Sequence, residues 1–119
     1  MEGLDEVRMD ALELIQALWD SIDWKKFPAR LRRRVYSVFQ DWIQDASYTG
    51  SLHKFIANFV ENANTEALPG YAAERLTQIL SSDSKRQRMI LRVLREETPA
   101  LIVIFRARRE KSRGGEGDV

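Results

Sequence analysis

Apolar residues return at three- and four-residue steps in one segment of this chain after another, and that period decides most of what it can fold into. Leu4, Val7, Ala11, Leu12, Ile15, Leu18, Trp19 and Ile22 form the first stripe, with Asp5, Glu6, Asp10, Glu13 and Asp20 on the other side. The second stripe, Leu31, Val35, Val38, Phe39, Trp42, Ile43 and Ala46, opens with Pro28 as a first-turn proline and predicts one helix from about 28 to 46. Thr49, Gly50 and Ser51 break the pattern. Leu52, Phe55, Ile56, Phe59, Val60 and Ala63 give a third helix, and a fourth is expected from Pro69 to the Ser81–Ser84 cluster. Ser84 with Gln87 reads as a capping box for a fifth, carrying Ile90, Leu91 and Leu94. Thr98 and Pro99 are expected to interrupt it. The run Leu101 to Phe105 suits a short strand or a helix; the Thr98–Pro99 start signal and the lack of any ladder to join favour a sixth helix. The predicted fold class is all-α, a compact bundle of five to six helices, with one domain over 1–111 and a flexible C-terminal tail over 112–119.

A chain of 119 residues can bury one substantial core, and 44% hydrophobic content with three prolines excludes disordered and fibrous classes. With no cysteine, disulfides, thiolate nucleophiles and cysteine metal sites are all excluded, which fits a reducing compartment. The longest apolar run, Ala100 to Phe105, falls far short of the roughly 20 residues that span a bilayer, and the acidic N-terminus lacks signal-peptide character. The expectation is a cytoplasmic protein with no membrane partner.

The net charge of +1 conceals a segregation along the chain. Residues 1–23 carry −6, residues 24–34 carry +6, the middle is mildly acidic, and 85–113 carry +7. Fourteen of the nineteen cations are arginine, whose planar fork grips phosphate or carboxylate with two parallel hydrogen bonds. Specific anion contacts are therefore favoured over plain solubility.

Catalysis finds little to work with. His53 is the single histidine, next to Lys54 at a helix start, and a partly exposed structural residue explains it better than a proton-transfer role. Asp41 and Asp45 share a helical face without a third ligand, and no glycine loop suits a phosphate. The chain is expected to be non-enzymatic, with no cofactor and no metal.

Two basic clusters stand out instead. Lys25, Lys26, Arg30, Arg32, Arg33 and Arg34 fall where the second helix should begin, an end whose dipole disfavours cations, so an anion is expected there; Trp24 and Tyr36 flank the cluster and could stack on bases. The competing reading is that these residues pair with the acidic first helix. Lys85, Arg88, Arg92 and Arg95 step by three, four and three, a stripe about 15 Å long with no acid inside it. Arg106, Arg108, Arg109, Lys111 and Arg113 continue the basic character. The stripe is preferred over the first cluster as a phosphate surface, since the cluster has a possible answer inside the molecule. Without zinc-finger spacing, an aromatic RNA-binding motif or a helix-turn-helix, backbone contact without base reading is the expected mode.

A chain of this length with five or six helices, no catalytic groups and arginine stripes (Arg30 to Arg34; Lys85, Arg88, Arg92, Arg95) resembles the helical small subunits of CRISPR effector complexes. The resemblance implies a non-enzymatic subunit that lines a nucleic-acid path in a ribonucleoprotein, with several copies stacked and apolar positions such as Leu101 to Phe105 or Trp24 facing neighbouring subunits. Partners expected on this reading are nucleic acid, through its backbone, and other protein subunits, self-association included. The rival is a helical adaptor or antitoxin-like regulator with an acidic protein partner.

Overall fold

The structure, a computed structural model, describes the backbone of residues 2–63, 65 and 70–117 and the side chains of 5–63, 65 and 70–111. Among the described residues six α-helices form an all-α bundle: α1 (Glu2–Asp20), α2 (Ala29–Arg32), α3 (Val35–Ala46), α4 (Leu52–Ala63), α5 (Gly70–Leu80) and α6 (Ser84–Gly117). No strand occurs among the described residues, and no helix among them is long and apolar enough to cross a membrane. α6 is the central post. α1 and α3 both pack along it, α5 covers the far side of α1, and α4 packs on α3 and α6.

The expected stripes face this core: Val7, Ala11, Leu12, Ile15 and Leu18 from α1, Phe39 and Ile43 from α3, Phe55 and Phe59 from α4, Leu76 and Ile79 from α5 are all buried. Gly50, at φ +88° in the left-handed region, turns the chain after the 3-10 turn Ser47–Thr49, and the Ser51 hydroxyl accepts the Lys54 N–H at 3.2 Å to start α4. The expected start at Pro69 lies outside the described residues.

Three expectations need correction. The predicted helix over 28–46 is two helices: Pro28 is the residue before α2, and Arg34, at φ −120° and ψ 20°, leaves helical geometry before α3 begins. Arg32 to Arg34 put three like charges in succession with no apolar residue to hold them on the core, and the Arg32 guanidinium instead reaches back to the Lys25 carbonyl at 3.1 Å. Ser84 and Gln87 do not form the capping box. Asp83 caps α6, accepting the Arg86 N–H at 2.8 Å, while the Gln87 amide donates to the carbonyls of Leu80 and Ser82 at 2.7 Å each, tying the end of α5 to the start of α6.

Thr98 and Pro99 do not end a helix, so the expected fifth and sixth helices are one. Pro99 lacks the N–H that the Arg95 carbonyl would accept, at a cost of about 3 kcal/mol in a helix interior. Leu94, Leu101, Ile102 and Phe105 are buried on either side of it, each stabilising by about 1.5–3 kcal/mol, and together they outweigh the break. Thr98 is itself buried, with its hydroxyl donating to the Leu94 carbonyl. The helix backbone continues to Gly117, through most of the segment read as a tail.

Candidate nucleic-acid interface

The basic segment between α1 and α3 is fixed by aromatic residues at both ends. Trp24 packs on Trp19 (ring centroids 4.5 Å apart) and stacks on Trp42 (5.9 Å), and Phe27 packs on both Trp24 and Trp42 at 5.7 Å. Behind the segment, Tyr36 stacks on Trp19 at 5.0 Å. These rings are engaged with the core and not free to stack on bases, which corrects the role expected for Trp24 and Tyr36. They serve the site by anchoring a chain of like charges. The Trp24 Nε1 is buried with no hydrogen-bond partner among the described residues, a cost of about 1–3 kcal/mol that the packing of the ring must offset.

Between these anchors, Lys25, Lys26, Arg30, Arg33 and Arg34 are all exposed. The competing reading, that the cluster pairs with the acidic first helix, is not how α1 uses its acids. Arg86 of α6 takes Asp10 at 2.7 Å and Glu6 at 3.4 Å, Arg75 of α5 takes Glu13 at 3.3 Å, and Arg8 of α1 itself takes Glu97 at 2.9 Å. Hydrogen bonding and charge from Asp10, with Glu6 adding to it, raise the Arg86 pKa, and Glu97 does the same for Arg8. Among the described residues, the side chains of Lys25, Arg30, Arg33 and Arg34 make no ion pair.

Arg86 lies off the predicted stripe and was the residue that sequence reasoning passed over. Glu6, Asp10 and Glu13 make a helical ladder of acids that calls for a cation on a neighbouring helix, but nothing in the sequence says which helix.

Along α6 the stripe is partly engaged. Lys85 and Arg88 are exposed with no side-chain partner among the described residues; Arg88 borders a shallow cleft with Gly50, Ser51 and Leu52. Arg92 pairs with Glu96 at 3.1 Å and Arg106 with Glu110 at 2.9 Å, both between exposed i,i+4 neighbours, an arrangement worth only about 0.3–0.5 kcal/mol. An anion can displace either carboxylate at little cost. Arg95 is held more firmly: its guanidinium donates twice to the Ser47 carbonyl, at 3.1 and 3.2 Å, and lies 5.7 Å from the Tyr48 ring. Arg109 is committed to the fold, half-buried over Trp19 at 4.8 Å and Phe105 at 5.6 Å.

The unbroken α6 adds what two separate helices would not give. Arg106 lies eleven residues, close to three whole turns, beyond Arg95, so it falls on the same side of α6 as Lys85, Arg88 and Arg92. The row from Lys85 to Arg106 extends about 31 Å at 1.5 Å per residue. At its far end Arg106 sits 5.0 Å over Tyr36, the ring that closes the Arg30–Arg34 segment. Two basic regions separated by fifty residues of sequence thus meet through one tyrosine. No family model, curated protein or solved structure matched the chain on comparison.

A further concave feature is the seam between α1 and α5, lined by Glu13, Gln16, Tyr71 and Arg75, with the Arg75–Glu13 pair across it. Partial desolvation, followed by a hydrogen bond with Asp20, pushes Tyr71 up to about 12, so it stays a neutral phenol. No group of three or more histidine, aspartate or glutamate side chains gathers for a metal ion among the described residues, and Asp41, Asp45 and His53 are each exposed on the surface.

Proposed function

We propose that this chain is a non-enzymatic structural subunit that binds the phosphate backbone of nucleic acid without base specificity. Its contacts are the row Lys85, Arg88, Arg92 and Arg106 on α6 together with Lys25, Arg30, Arg33 and Arg34. The observation that carries this reading is the unequal fate of the charges. Glu6, Asp10 and Glu13 of α1 are taken up by Arg75 and Arg86, while Lys25, Arg30, Arg33, Arg34, Lys85 and Arg88 stand exposed without an acidic partner among the described residues. Exposed like charges in a row repel one another, and a polyanion removes that cost while releasing its own counterions. A place within a larger ribonucleoprotein, as the resemblance to CRISPR small subunits implies, belongs to the same proposal.

The test is binding of mixed-sequence single- and double-stranded nucleic acid over a salt series. The expected result is a negative slope of log affinity against log salt equivalent to several phosphates, little changed by sequence, and flattened by Arg88→Glu with Arg92→Glu and by Arg33→Glu with Arg34→Glu. No binding at low salt, or a slope untouched by both pairs of reversals, overturns the proposal and leaves the acidic-partner adaptor as the better reading.

A further inference from the structure

The outward face of α6 carries a second feature that phosphate binding does not use. Glu96, Ala100, Val103, Ala107 and Lys111 step by four, three, four and four, which places them on one face, opposite the buried Thr98, Leu101, Ile102 and Phe105. All five are exposed; Val103 is 68% exposed and its neighbour Ile104 42%. The run Leu101 to Phe105, expected as a whole to face neighbouring subunits, thus divides: Leu101, Ile102 and Phe105 belong to the core, and Val103 and Ile104 point away from it.

This face is symmetric about its own middle with its charge inverted. From the point between Val103 and Ile104, each direction reads an aliphatic residue, then alanine, then a charge, which is Glu96 toward the N-terminus and Lys111 toward the C-terminus. We propose that a second copy of this chain docks antiparallel on the outward face of α6, about a two-fold axis between Val103 and Ile104. Val103 then meets Ile104, Ala100 meets Ala107, and Glu96 of each copy meets Lys111 of the other. One oxygen of Glu96 is engaged by Arg92 within the chain, leaving the other for Lys111. Parallel pairing would set Glu96 on Glu96 and Lys111 on Lys111, so charge selects the antiparallel arrangement. The alanines let the two helices approach to the short end of the usual 8–10 Å separation. A two-fold axis makes the interface self-complementary, so it closes at two copies. The basic row lies on the flank of α6, about a quarter turn from this face, and the axis places the rows of both copies on the same side of the pair. The pairing itself does not depend on nucleic-acid binding.

The test is sedimentation of the full chain, freed of nucleic acid with nuclease, over a concentration series. A mass of two chains that falls to one on dilution is expected, since the matched stripe is only about 22 Å long. Val103→Glu should give one chain at every concentration while keeping the helical circular dichroism of the parent. Glu96→Lys and Lys111→Glu should each weaken pairing by about tenfold, and the two changes together should restore it to within about threefold. Because the chain has no cysteine of its own, Val103→Cys gives a single thiol, which should cross-link to its counterpart across the axis. A single-chain mass at all concentrations, or pairing that neither single charge reversal weakens, overturns the proposal. Neither result bears on the salt-series test above, so the two readings stand or fall separately.

Discussion

The two basic regions differ in how they are held, and the difference shows why a count of charges in a segment says little about what the charges do. The α6 row stands on a helix fixed along one side by the core. Its members range from unpaired among the described residues (Lys85, Arg88), through weakly paired (Arg92, Arg106), to committed (Arg95 on the Ser47 carbonyl). The 25–34 segment has only the 3-10 turn Trp24–Lys26 and the four-residue α2, and relies on Trp24, Phe27 and Tyr36 at its ends, yet its arginines at 30, 33 and 34 are exposed and unpaired among the described residues. Regular structure and availability run in opposite directions here. The helix gives a regular row at the expense of some of its members, and the anchored loop leaves Arg30, Arg33 and Arg34 unpaired among the described residues but gives them no regular spacing.

Breaking the shared anchor has the largest expected effect. Trp19 is buried and contacts Trp24, Tyr36, Phe39, Phe105 and the Arg109 guanidinium, so Trp19→Ala should destabilise the fold by about 3–5 kcal/mol in denaturant unfolding and loosen both basic regions together. The comparison is sharpened by the triple change Arg30→Ala, Arg33→Ala and Arg34→Ala. It should leave stability near the parent value but lower the salt slope of binding by about one unit per arginine, more than the same treatment of Arg92 and Arg95. Equal losses from the two sets would show that pairing within the chain does not govern availability. A smaller effect separates neighbours on α6: Arg86→Ala, which strips Asp10 and Glu6 of their partner, should cost about 1 kcal/mol of folding stability, whereas Arg88→Ala should stay within about 0.5 kcal/mol. The smallest concerns Tyr71. Its folded pKa lies above the ordinary value near 10, so whatever it adds to stability is fully present below that pH and is lost as pH rises toward about 12; absorbance titration of Tyr71→Phe against the parent should show the missing phenol only in that high range.

How much of this was legible in the sequence depended on whether the signal was periodic. The core stripes of α1, α3, α4 and α5 could be read directly, because burial follows the 3.6-residue repeat and little competes with it. The errors came where a local rule met tertiary packing. Pro99 reads as a break on propensity alone, but the buried side chains from Leu94 to Phe105 carry the helix through it. Asp83 and Ser84 are equally good caps by type, and the helix starts one residue earlier than the Ser84–Gln87 pattern suggests, with Asp83 accepting the Arg86 backbone N–H. At the candidate interface, the identity of the basic residues was plain and their engagement was not. The pairing of Arg86 with α1 and of Arg95 with Ser47 joins positions 76 and 48 residues apart, and no spacing rule reaches that far.

All three tryptophans, Trp19, Trp24 and Trp42, belong to the one ring cluster on which the 25–34 segment is mounted. The chain therefore carries an optical probe where it is most useful. Its ultraviolet emission comes from a single neighbourhood rather than an average over the molecule, and indoles in contact exchange excitation, so a small change in their tilt alters both yield and colour. A ligand that shifts the 25–34 segment against these rings would change the light they emit, without a label.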